Sequence, residues 1–357
     1  MSGGVDSSVA AALLVEAGYD VVGISMRLWG DASASGSASG CCSLDDFLDA
    51  RRVAARLGIP FYVMDFRDDF NRNVVDPFVA EYRAGRTPNP CVRCNQFVKF
   101  ASFWERARAL GAEWVATGHY ARVIRDPESG CAELWAAVDA AKDQSYFLFA
   151  IEPETLAHAL FPLGDLTKAE VRAHARRLRL PVAEKPESQE ICFAPKGQYA
   201  DFVARYAANG VEPKGGVIID DIGKVIGTHD GIHQFTIGQR RGLGISSAQP
   251  LYVTAIDAQT GSVRVGARAA TLAAGLRATR PNWLTDGPVP AGTRLRMKIR
   301  SRFAATPVTV GAATVEGFEA WAADKLPAVT PGQAAVLYDD ERVVGGGWIE
   351  RALSAAG

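Results

Sequence analysis

Residues 2–8 read SGGVDSS, and the apolar stretch VAAALLV (residues 9–15) follows directly. Two adjacent glycines allow a tight turn that brings backbone N–H groups close to a ligand. A helix that begins here points its positive end at the same turn, to which Ser7 and Ser8 add hydroxyl donors, and Asp6 is placed to hold magnesium or cap the helix. The stretch therefore predicts an anion-binding turn; the alternative is a disordered start followed by an ordinary N-cap. The lysine of the Walker A pattern is missing, so this is not an ordinary P-loop.

Composition excludes several classes of protein. The chain has 357 residues with 48% hydrophobic content, enough for two or three domains. Because its formal net charge is −1, any affinity for an anionic polymer must come from local patches. No apolar run is long enough to span a bilayer, and no signal peptide is readable. Six cysteines are too few for a disulfide scaffold, which favours a cytoplasmic protein with reactive or metal-binding thiols. The low-complexity segment 31–40 predicts a mobile loop.

Helical and strand-like runs alternate in the first half of the chain. Apolar runs at residues 21–26 and 59–66 flank a helical pattern that Ser43 caps and Gly58 stops. This alternation predicts an α/β domain with an open parallel sheet, in which we expect the run at 59–66 to be a buried strand. From about Lys196 the chain becomes β-rich with glycine turns. That change predicts a small β-rich domain followed by a C-terminal β-barrel.

The cysteines allow three readings. Cys91 and Cys94 form a C-x-x-C pair in a Pro-rich stretch, and Cys192 stands where a polar stretch turns apolar. A structural zinc site normally needs two such pairs. Reactive thiolates fit as well, because nearby cations lower a thiol pKa, and Arg86, Arg93 and Lys99 are close in sequence. An iron–sulfur (4Fe-4S) cluster on Cys91, Cys94 and Cys192, with one iron left open, is the third reading. Small core or near-surface roles are predicted for Cys41, Cys42 and Cys131.

Three basic stretches stand out in a chain of nearly neutral charge. One is a predicted helix with a capping box of Thr167 and Glu170 and a stripe of Arg172, Arg176 and Arg179. In the second, strict alternation predicts a strand with Leu295, Met297 and Ile299 on one face and Arg294, Arg296, Lys298 and Arg300 on the other. The third contains Arg240 and Arg241. Each alone is more often a solvated face, but together they favour a phosphate-backbone partner.

Seven motifs occur together along the chain and are more specific than any one of them. They are SGGVDSS, GCCS with DAR, GRTPNPCVRCN, ATGHYAR, KDQSYFLF, ESQEICF and TIGQRRGLG. In this order they resemble the motifs of the tRNA-specific 2-thiouridylases of the MnmA/TrmU family. The resemblance covers essentially the whole chain.

The resemblance implies a domain organisation and an activity. An adenine-nucleotide alpha-hydrolase-like (PP-loop) ATP pyrophosphatase domain is expected at residues 1–197, a central β-rich domain at 198–277 and a tRNA-binding β-barrel at 278–357. The expected reaction is ATP-dependent 2-thiolation of the wobble uridine in the tRNAs for Lys, Glu and Gln. The uridine is adenylated, pyrophosphate is released, and persulfide sulfur displaces AMP. ATP and Mg²⁺ are the expected cofactors, and tRNA and a sulfur donor (a cysteine desulfurase or a sulfur-relay protein) are the expected partners.

Matching positions imply the residues of the site. Cys192 is expected to carry the persulfide and Cys94 to be the second catalytic thiol, the two ending in a disulfide. The ATP-binding positions are Ser2, Gly3, Gly4, Val5, Asp6, Ser7, Met26 and Gly118. The loop that meets the target base is Asn89, Pro90 and Cys91. The tRNA-contacting positions are His119, Lys142, Asp143, Gln144, Arg300, Ser301, Arg302 and Gln333.

Two features depart from the family pattern. Many members carry Asp where this chain has Cys91, so an acid–base role cannot be transferred to that position, and the extra thiol favours the cluster reading. In the family a hydrophobic strand precedes the phosphate loop, whereas Met1 directly precedes Ser2 here. We therefore expect weaker ATP binding by this chain than by one extended upstream by a strand of about 5–6 residues.

Two other functions are compatible with parts of the sequence. Another ATP pyrophosphatase, such as an amide-forming synthetase, would need neither the paired thiols nor the basic β-rich region. A zinc- or cluster-stabilised RNA-binding protein with a vestigial nucleotide loop is the non-enzyme alternative. It predicts that replacing Cys94 or Cys192 lowers metal content or stability, whereas a thiolation enzyme would lose activity with its fold intact.

Overall fold

The fold is described from a computed structural model, which describes residues 1–29, 44–128, 130–186, 191–194, 199–207 and 215–354. The chain divides into two compact units. The first unit comprises Met1–Val74, Cys91–Lys196 and Glu341–Val343, and the second comprises Val75–Pro90, Gly197–Asp340 and Val344–Gly357. The predicted loop at 31–40, the helix cap Ser43, and Cys41 and Cys42 lie outside the described residues. Within the described ranges, no helix has the length and apolar character needed to cross a membrane.

Most helices in the described ranges are short. Their bounds are α1 Val5–Glu16, α2 Leu44–Leu57, α3 Arg67–Phe70, α4 Asp76–Arg83, α5 Pro90–Arg93, α6 Phe103–Ala109, α7 Ser145–Leu148, α8 Pro153–Ala157, α9 Lys168–Arg177 and α10 Tyr199–Ala207. Two π-helical segments, Asn71–Val75 and Cys94–Ser102, follow α3 and α5. The predicted stops Gly18 and Gly58 come just after α1 and α2, and the predicted capping box opens α9.

The strands fall into a sparse set before residue 161 and a dense set after residue 215. Their bounds are β1 Gly23–Arg27, β2 Phe61–Asp65, β3 Val115–Ala116, β4 Ala121–Arg125, β5 Ala132–Ala136, β6 Ala159–Leu160, β7 Gly216–Ile219, β8 Val225–His229, β9 Tyr252–Asp257, β10 Ser262–Gly266, β11 Leu272–Trp283, β12 Arg294–Lys298, β13 Thr306–Ala313, β14 Gly317–Pro327, β15 Ala334–Asp339 and β16 Arg342–Leu353. This distribution agrees with the predicted change from α/β to all-β organisation.

Parallel strand pairs identify the first unit as α/β, as predicted. Strand β1 pairs in parallel with β2, and β3 with β6, while β4 and β5 form an antiparallel hairpin. Parallel neighbours need crossover connections, and helices supply them here. Helix α1 contacts α2 and α9, and the core that they share contains Val9, Val53 and Val171, all fully buried. This packing fixes the start of α1, where the glycine-rich turn lies.

The prediction that the strand at 59–66 is buried was wrong. In β2, the side chains of Tyr62 and Val63 are 58% and 49% exposed. The physical reason is position: among the described residues β2 pairs with β1 alone, so it is an edge strand. A run of apolar residues does not distinguish an edge strand from a central one.

The basic stripe predicted on α9 was also wrong. The helix ends at Arg177, so Arg179 lies beyond it. Arg172 donates to the carbonyl oxygens of Ala183 and Lys185 at 2.9 and 3.3 Å, and Arg176 pairs with Glu184 at 2.8 Å. These guanidinium groups bind residues 183–185 to the helix and do not form an open basic face.

The second unit contains two β-structures. Strands in the order β8-β7-β10-β9 form a four-stranded sheet whose core includes Ile218, Val253 and Val263. Strands in the order β11-β14-β13-β12-β15-β16 form a six-stranded barrel, which antiparallel pairing of β11 with β16 closes. Closure removes the unpaired edges of the sheet. The predicted small β-rich domain and C-terminal β-barrel are therefore confirmed, while the exact domain boundaries stay a prediction.

The barrel interior confirms the alternation predicted for β12. Leu295, Met297 and Ile299 are buried in the barrel core, whereas Arg294 and Arg296 are exposed. Burial of the apolar face holds the register of this strand, because a slip of one residue would place the arginines inside.

Candidate active site

The glycine-rich turn before α1 is held by its own hydroxyl groups. Ser7 Oγ accepts from the backbone N–H of Ser2 at 3.1 Å, and Ser8 Oγ donates to the carbonyl oxygen of Gly4 at 2.8 Å. Gly4 is the N-cap residue and has no side chain to cap the helix. The first N–H groups of α1 are therefore presented to a ligand, and the helix dipole favours an anion there.

Two glycines let other segments approach this turn closely. Gly3 has a φ of +71°, and a Cβ atom there would lie 2.3 Å from the carbonyl oxygen of Asp46 in α2. A Cβ atom on Gly118, after β3, would lie 2.6 Å from both the carbonyl carbon of Asp6 and the backbone nitrogen of Ser7. Only glycine allows backbones to pack this tightly. The structure thus brings Gly118 onto the loop to which the sequence assigned it.

Asp6 has two partners that the sequence did not indicate. Its carboxylate accepts from Lys168 Nζ at 2.7 and 2.9 Å, and its Oδ1 also accepts from the Tyr120 hydroxyl at 2.8 Å. The ion pair is largely enclosed, with side-chain exposures of 13% for Lys168 and 32% for Asp6. The sequence around the turn has no Walker A lysine. Lys168, the first residue of α9, nevertheless brings a positive charge to the turn, where it pairs with Asp6.

The position of β1, which contains Met26, and the carboxylate of Asp6 are consistent with a nucleotide site. Ser25, the neighbour of Met26 in β1, donates its hydroxyl to the carbonyl oxygen of Met1, which places β1 alongside the start of the loop. Mg²⁺ in nucleotide sites is commonly held by one or two carboxylates together with substrate phosphates. Asp6 is a carboxylate of that kind, and in this structure it accepts from Lys168 and Tyr120.

Cys94 and Cys91 differ sharply in access to solvent. Cys94 opens the π-helical segment Cys94–Ser102 and is buried, with 8% exposure, whereas Cys91 in α5 is exposed. π-Helical turns are rare and are frequently found at functional sites. Of the C-x-x-C pair, Cys94 is the buried thiol, and it is also the member of the pair to which the resemblance assigns a catalytic role.

The three cations that lie near these thiols in sequence each have partners of their own. Arg86 forms a bidentate pair with Glu81 at 2.6 and 2.8 Å, which raises the pKa of Arg86 and neutralises its charge. Arg93 donates to the carbonyl oxygen of Asn73 at 2.7 Å and covers the ring of Phe97. Lys99 lies 3.5 Å from His119 Nε2. The three cations are close in sequence, but in the structure each contacts a different partner.

His119 is held in its neutral form. Its Nδ1 lies 2.7 Å from Thr117 Oγ1, and the rings of Phe100 and Phe161 pack beside it. Burial, together with the positive charge of Lys99, lowers the pKa of His119 well below its usual 6.5. At neutral pH this imidazole contributes no positive charge, and its two ring nitrogens face Thr117 and Lys99.

Aromatic packing anchors the residue after Cys192. Phe193 is buried against the rings of Phe70 and Trp29, with centroids 5.5 and 6.1 Å away. Upstream, Lys185 donates to Asp46 at 2.8 Å and to Asp49 at 2.7 Å, both in α2. These hydrogen bonds raise the pKa of Lys185 against the opposing effect of burial. Lys185 is thus bonded to the helix whose backbone touches Gly3.

The thiols do not gather into a metal site. Neither Cys94 nor Cys192 is in a disulfide, so the disulfide implied by the resemblance is not formed in this structure. Within the described ranges, no group of three or more His, Cys, Asp or Glu side chains is arranged to hold a metal ion. The three ligands proposed for an iron–sulfur cluster, Cys91, Cys94 and Cys192, are all described residues. That proposal is therefore not supported by their arrangement.

The first-unit residues assigned to tRNA contact also shape their own loop. Asp143 accepts from the backbone N–H groups of Ala137 and Ser145 at 3.2 and 3.1 Å. Gln144 and Tyr120 exchange two hydrogen bonds of 2.9 and 2.8 Å. Lys142 lies in the same turn. Because Tyr120 also binds Asp6, this turn is connected to the phosphate loop through one side chain.

The second-unit residues assigned to tRNA contact fall into two groups. Arg302 is exposed and Ser301 partly exposed, as a binding surface requires. Arg300 and Gln333 instead make hydrogen bonds inside the unit, to Thr330 Oγ1 at 2.9 Å and to the carbonyl oxygens of residues 87 and 88 at 3.0 Å, respectively. Asn89 and Pro90 follow that carbonyl pair and are buried.

Three family models match consecutive parts of the chain. They are described as a tRNA methyl transferase HUP domain at residues 1–196, a tRNA methyl transferase PRC-barrel domain at 200–267 and an aminomethyltransferase beta-barrel domain at 273–349. The structure agrees with each description in turn: a parallel α/β unit, a small β-rich sheet and a closed barrel.

Several curated proteins are similar over nearly the full length. The tRNA-specific 2-thiouridylase MnmA of Geotalea uraniireducens (strain Rf4) is 50% identical, covering 99% of this chain and 94% of the relative. Those of Solibacter usitatus and Sorangium cellulosum are 47% and 48% identical, covering 98% and 99% of this chain and 98% and 91% of the relatives. A solved NMN synthetase from Francisella tularensis matches 52% of this chain and 63% of its own at 20% identity, with a TM-score of 0.31, too small a likeness to argue from.

The fold and the glycine-rich turn define the first unit as a HUP domain with a phosphate loop at the start of α1. The β-rich sheet and barrel that follow match the PRC-barrel and beta-barrel domain models, so the class is a HUP domain followed by these two β domains. The chain belongs to the tRNA-specific 2-thiouridylase (MnmA) family.

Replacing Gly118 by alanine tests the close approach at the phosphate loop. The new Cβ would meet backbone atoms of Asp6 and Ser7 at 2.6 Å, so the loop must shift. We expect ATP affinity, measured by titration calorimetry, to fall on the order of tenfold or more, since small misplacements of a binding group are costly. The matched control is Gly266→Ala, whose nearest neighbour would lie at an ordinary 3.5 Å. Equal ATP affinity of Gly118→Ala and wild type would contradict this view of the loop.

The neutral state of His119 predicts a pH dependence of stability. Below its usual pKa of 6.5 the unfolded chain takes up a proton that the folded chain excludes, so the free energy of unfolding falls as pH drops. The loss is at most about 1.4 kcal/mol per pH unit. Denaturant unfolding at pH 7 and pH 5 should show a smaller difference for His119→Gln than for wild type. Lys99→Met should reduce the difference without abolishing it; identical pH dependence of wild type and His119→Gln would refute the assignment.

Proposed function

We propose that this protein is an ATP-dependent tRNA-uridine 2-sulfurtransferase, which converts the wobble uridine of the tRNAs for Lys, Glu and Gln to 2-thiouridine. One observation carries the proposal: a glycine-rich turn at the start of a helix and two cysteines outside any disulfide, Cys94 and Cys192, occur in one α/β unit of a chain about half identical to 2-thiouridylases along its whole length. Neither a simple nucleotide-binding protein nor a simple RNA-binding protein needs that combination.

The nucleotide binds with its phosphates at the turn before α1. Backbone N–H groups of Ser2–Ser7 and the positive end of the helix receive them. Lys168 stands beside the turn, where its ammonium group would be available to the nucleotide phosphates if Asp6 held magnesium. Magnesium, when bound, neutralises phosphate charge and orients the α-phosphate for attack.

Adenylation makes the uridine reactive. The 2-oxygen attacks the α-phosphorus of ATP, so an oxygen–phosphorus bond forms and the bond to the departing pyrophosphate breaks. The resulting O-adenylate turns a poor leaving group into a good one, AMP. His119 lies one residue after Gly118 and is neutral, so it adds no positive charge next to that part of the loop.

Sulfur transfer needs both thiols. The terminal sulfur of a Cys192 persulfide attacks carbon 2 of the adenylated uridine, and AMP leaves with the bonding pair. The Cys94 thiolate then attacks the inner sulfur of Cys192, which forms the Cys94–Cys192 disulfide and releases the thiouridine sulfur. Alternatively, Cys94 attacks the persulfide first and frees sulfide, which then attacks carbon 2. In both routes a reductant returns the two thiols.

The partners follow from this chemistry. The sulfur must come from an outside donor of persulfide sulfur, such as a cysteine desulfurase or a relay protein. A wobble base must leave its stack to reach the site, and Asn89–Cys91 are proposed to meet it. Arg302, Arg240 and Arg241 are exposed in the second unit and are proposed to bind tRNA phosphates, together with Ser301.

Substitution of each thiol tests the proposal. Purified enzyme is incubated with unmodified tRNA, ATP, Mg²⁺ and a persulfide donor, and the tRNA nucleosides are analysed by mass spectrometry. Wild type should form 2-thiouridine, whereas Cys94→Ser and Cys192→Ser should lose at least about a thousandfold in rate, because removal of a catalytic nucleophile costs that order.

The matched control is Cys131→Ser, which replaces an exposed cysteine outside any disulfide in the first unit and should leave the rate unchanged. All variants should retain the wild-type thermal unfolding midpoint. If wild type forms no 2-thiouridine, the proposed function is wrong. If Cys94→Ser keeps full activity, the role given to that thiol is wrong.

A further inference from the structure

A turn of the barrel holds the segment that leads into the target-base loop. The backbone N–H of Thr87 donates to the carbonyl oxygen of Pro331 at 2.9 Å. Gln333 Nε2 donates to the carbonyl oxygens of Thr87 and Pro88, both at 3.0 Å. On the opposite side, Thr87 Oγ1 donates to Thr236 Oγ1 at 3.1 Å. Four hydrogen bonds therefore fix two residues immediately before Asn89.

The turn that supplies these bonds is itself rigidly supported. The backbone N–H of Gly332 donates to the carbonyl oxygen of Ile349 in β16, and Ile349 donates back to Gln333, at 2.9 and 2.8 Å. Arg300 Nη2 donates to the carbonyl oxygen of Ala328 at 3.1 Å and to Thr330 Oγ1 at 2.9 Å. Because the barrel is closed, this turn has little freedom to move.

The chemistry of the amide decides what else Gln333 can do. A glutamine side chain has two N–H donors on Nε2 and one carbonyl oxygen as acceptor. Both donors of Gln333 point at backbone carbonyl oxygens, which accept only, so the amide orientation is not ambiguous. A nucleic acid that contacts Gln333 in this conformation meets the acceptor Oε1 alone. A ribose hydroxyl or a base amino group would satisfy it, and a phosphate oxygen would not.

We propose that Gln333 is a positioning residue for the loop Asn89–Cys91, and that Arg300 supports the turn from which it acts. This role rests on the proposed function of that loop in meeting the target base. Gln333 holds the loop by donating hydrogen bonds, and contact with tRNA occurs through its acceptor oxygen. Arg300 and Gln333, which both make hydrogen bonds inside the second unit, therefore act on the same segment.

Three variants of Gln333 separate donation from acceptance. Gln333→Glu keeps acceptors and removes both donors, Gln333→Met removes both kinds of group, and Gln333→Lys keeps donors for the two carbonyl oxygens. Gln259→Glu is the matched control for the added charge, because Gln259 is an exposed residue of a turn in the same unit. Each variant is first checked for the wild-type thermal unfolding midpoint.

The decisive readout is the alkylation rate of Cys91 and Cys94 by iodoacetamide, without tRNA or ATP, mapped by peptide mass spectrometry. The buried thiol Cys94 lies six residues after Pro88 in the chain. Loss of two hydrogen bonds should raise its alkylation rate about tenfold or more in Gln333→Glu and Gln333→Met. Gln333→Lys and Gln259→Glu should match wild type in labelling. The kcat for thiolation should fall in Gln333→Glu and Gln333→Met, with KM for tRNA little changed in Gln333→Glu, which keeps an acceptor, and raised in Gln333→Met, which has none.

Unchanged alkylation in both Gln333→Glu and Gln333→Met would overturn the proposal, and so would equal acceleration in Gln333→Lys. If Gln333→Glu does not fold, the comparison of Met with Lys gives the same decision. Because the labelling uses neither ATP nor tRNA, its result is independent of whether the proposed reaction occurs. Absence of 2-thiouridine with the expected labelling pattern would instead count against the function alone.

Discussion

The first unit depends on the approach of two other backbone segments to the start of α1. Gly3 meets the carbonyl of Asp46, and Gly118 meets Asp6 and Ser7, at distances that no side chain permits. This packing leaves the first N–H groups of the helix facing a ligand and places Lys168 and Tyr120 beside them, while Lys185 is bonded to the helix that meets Gly3. The anion-binding geometry of the turn is therefore a consequence of close backbone packing.

The second unit supplies order to the peptide that precedes the other thiol. Backbone carbonyls at residues 87 and 88 cannot pair with each other, and Gln333 gives them a fixed donor. A buried, hydrogen-bonded loop positions a reactive group more accurately than a free loop does. Within the second unit the barrel therefore orders residues 87 and 88, which lead into Asn89.

Local patterns predicted much of this architecture from the sequence. The glycine turn before α1, the capping box of Thr167 and Glu170 and the alternation of β12 depend on neighbours in the chain, and all three are present. Tertiary pairing could not be predicted in the same way. Lys168 pairs with Asp6 although 162 residues separate them in the chain. Arg86 pairs with Glu81, and the closeness of Arg86 to the cysteines in sequence gave no indication of that partner. The edge position of β2 likewise depends on which strands pair.

The central claim is that the phosphate turn and the thiols serve one reaction, in which ATP is cleaved between its α- and β-phosphates. The most direct test uses ATP labelled at the α-phosphorus, incubated with the enzyme, Mg²⁺ and unmodified substrate tRNA without a sulfur donor. The account predicts tRNA-dependent formation of labelled AMP, free or bound to tRNA, with an equal amount of pyrophosphate. Formation of labelled ADP with inorganic phosphate, or labelled AMP at the same rate without tRNA, would contradict it.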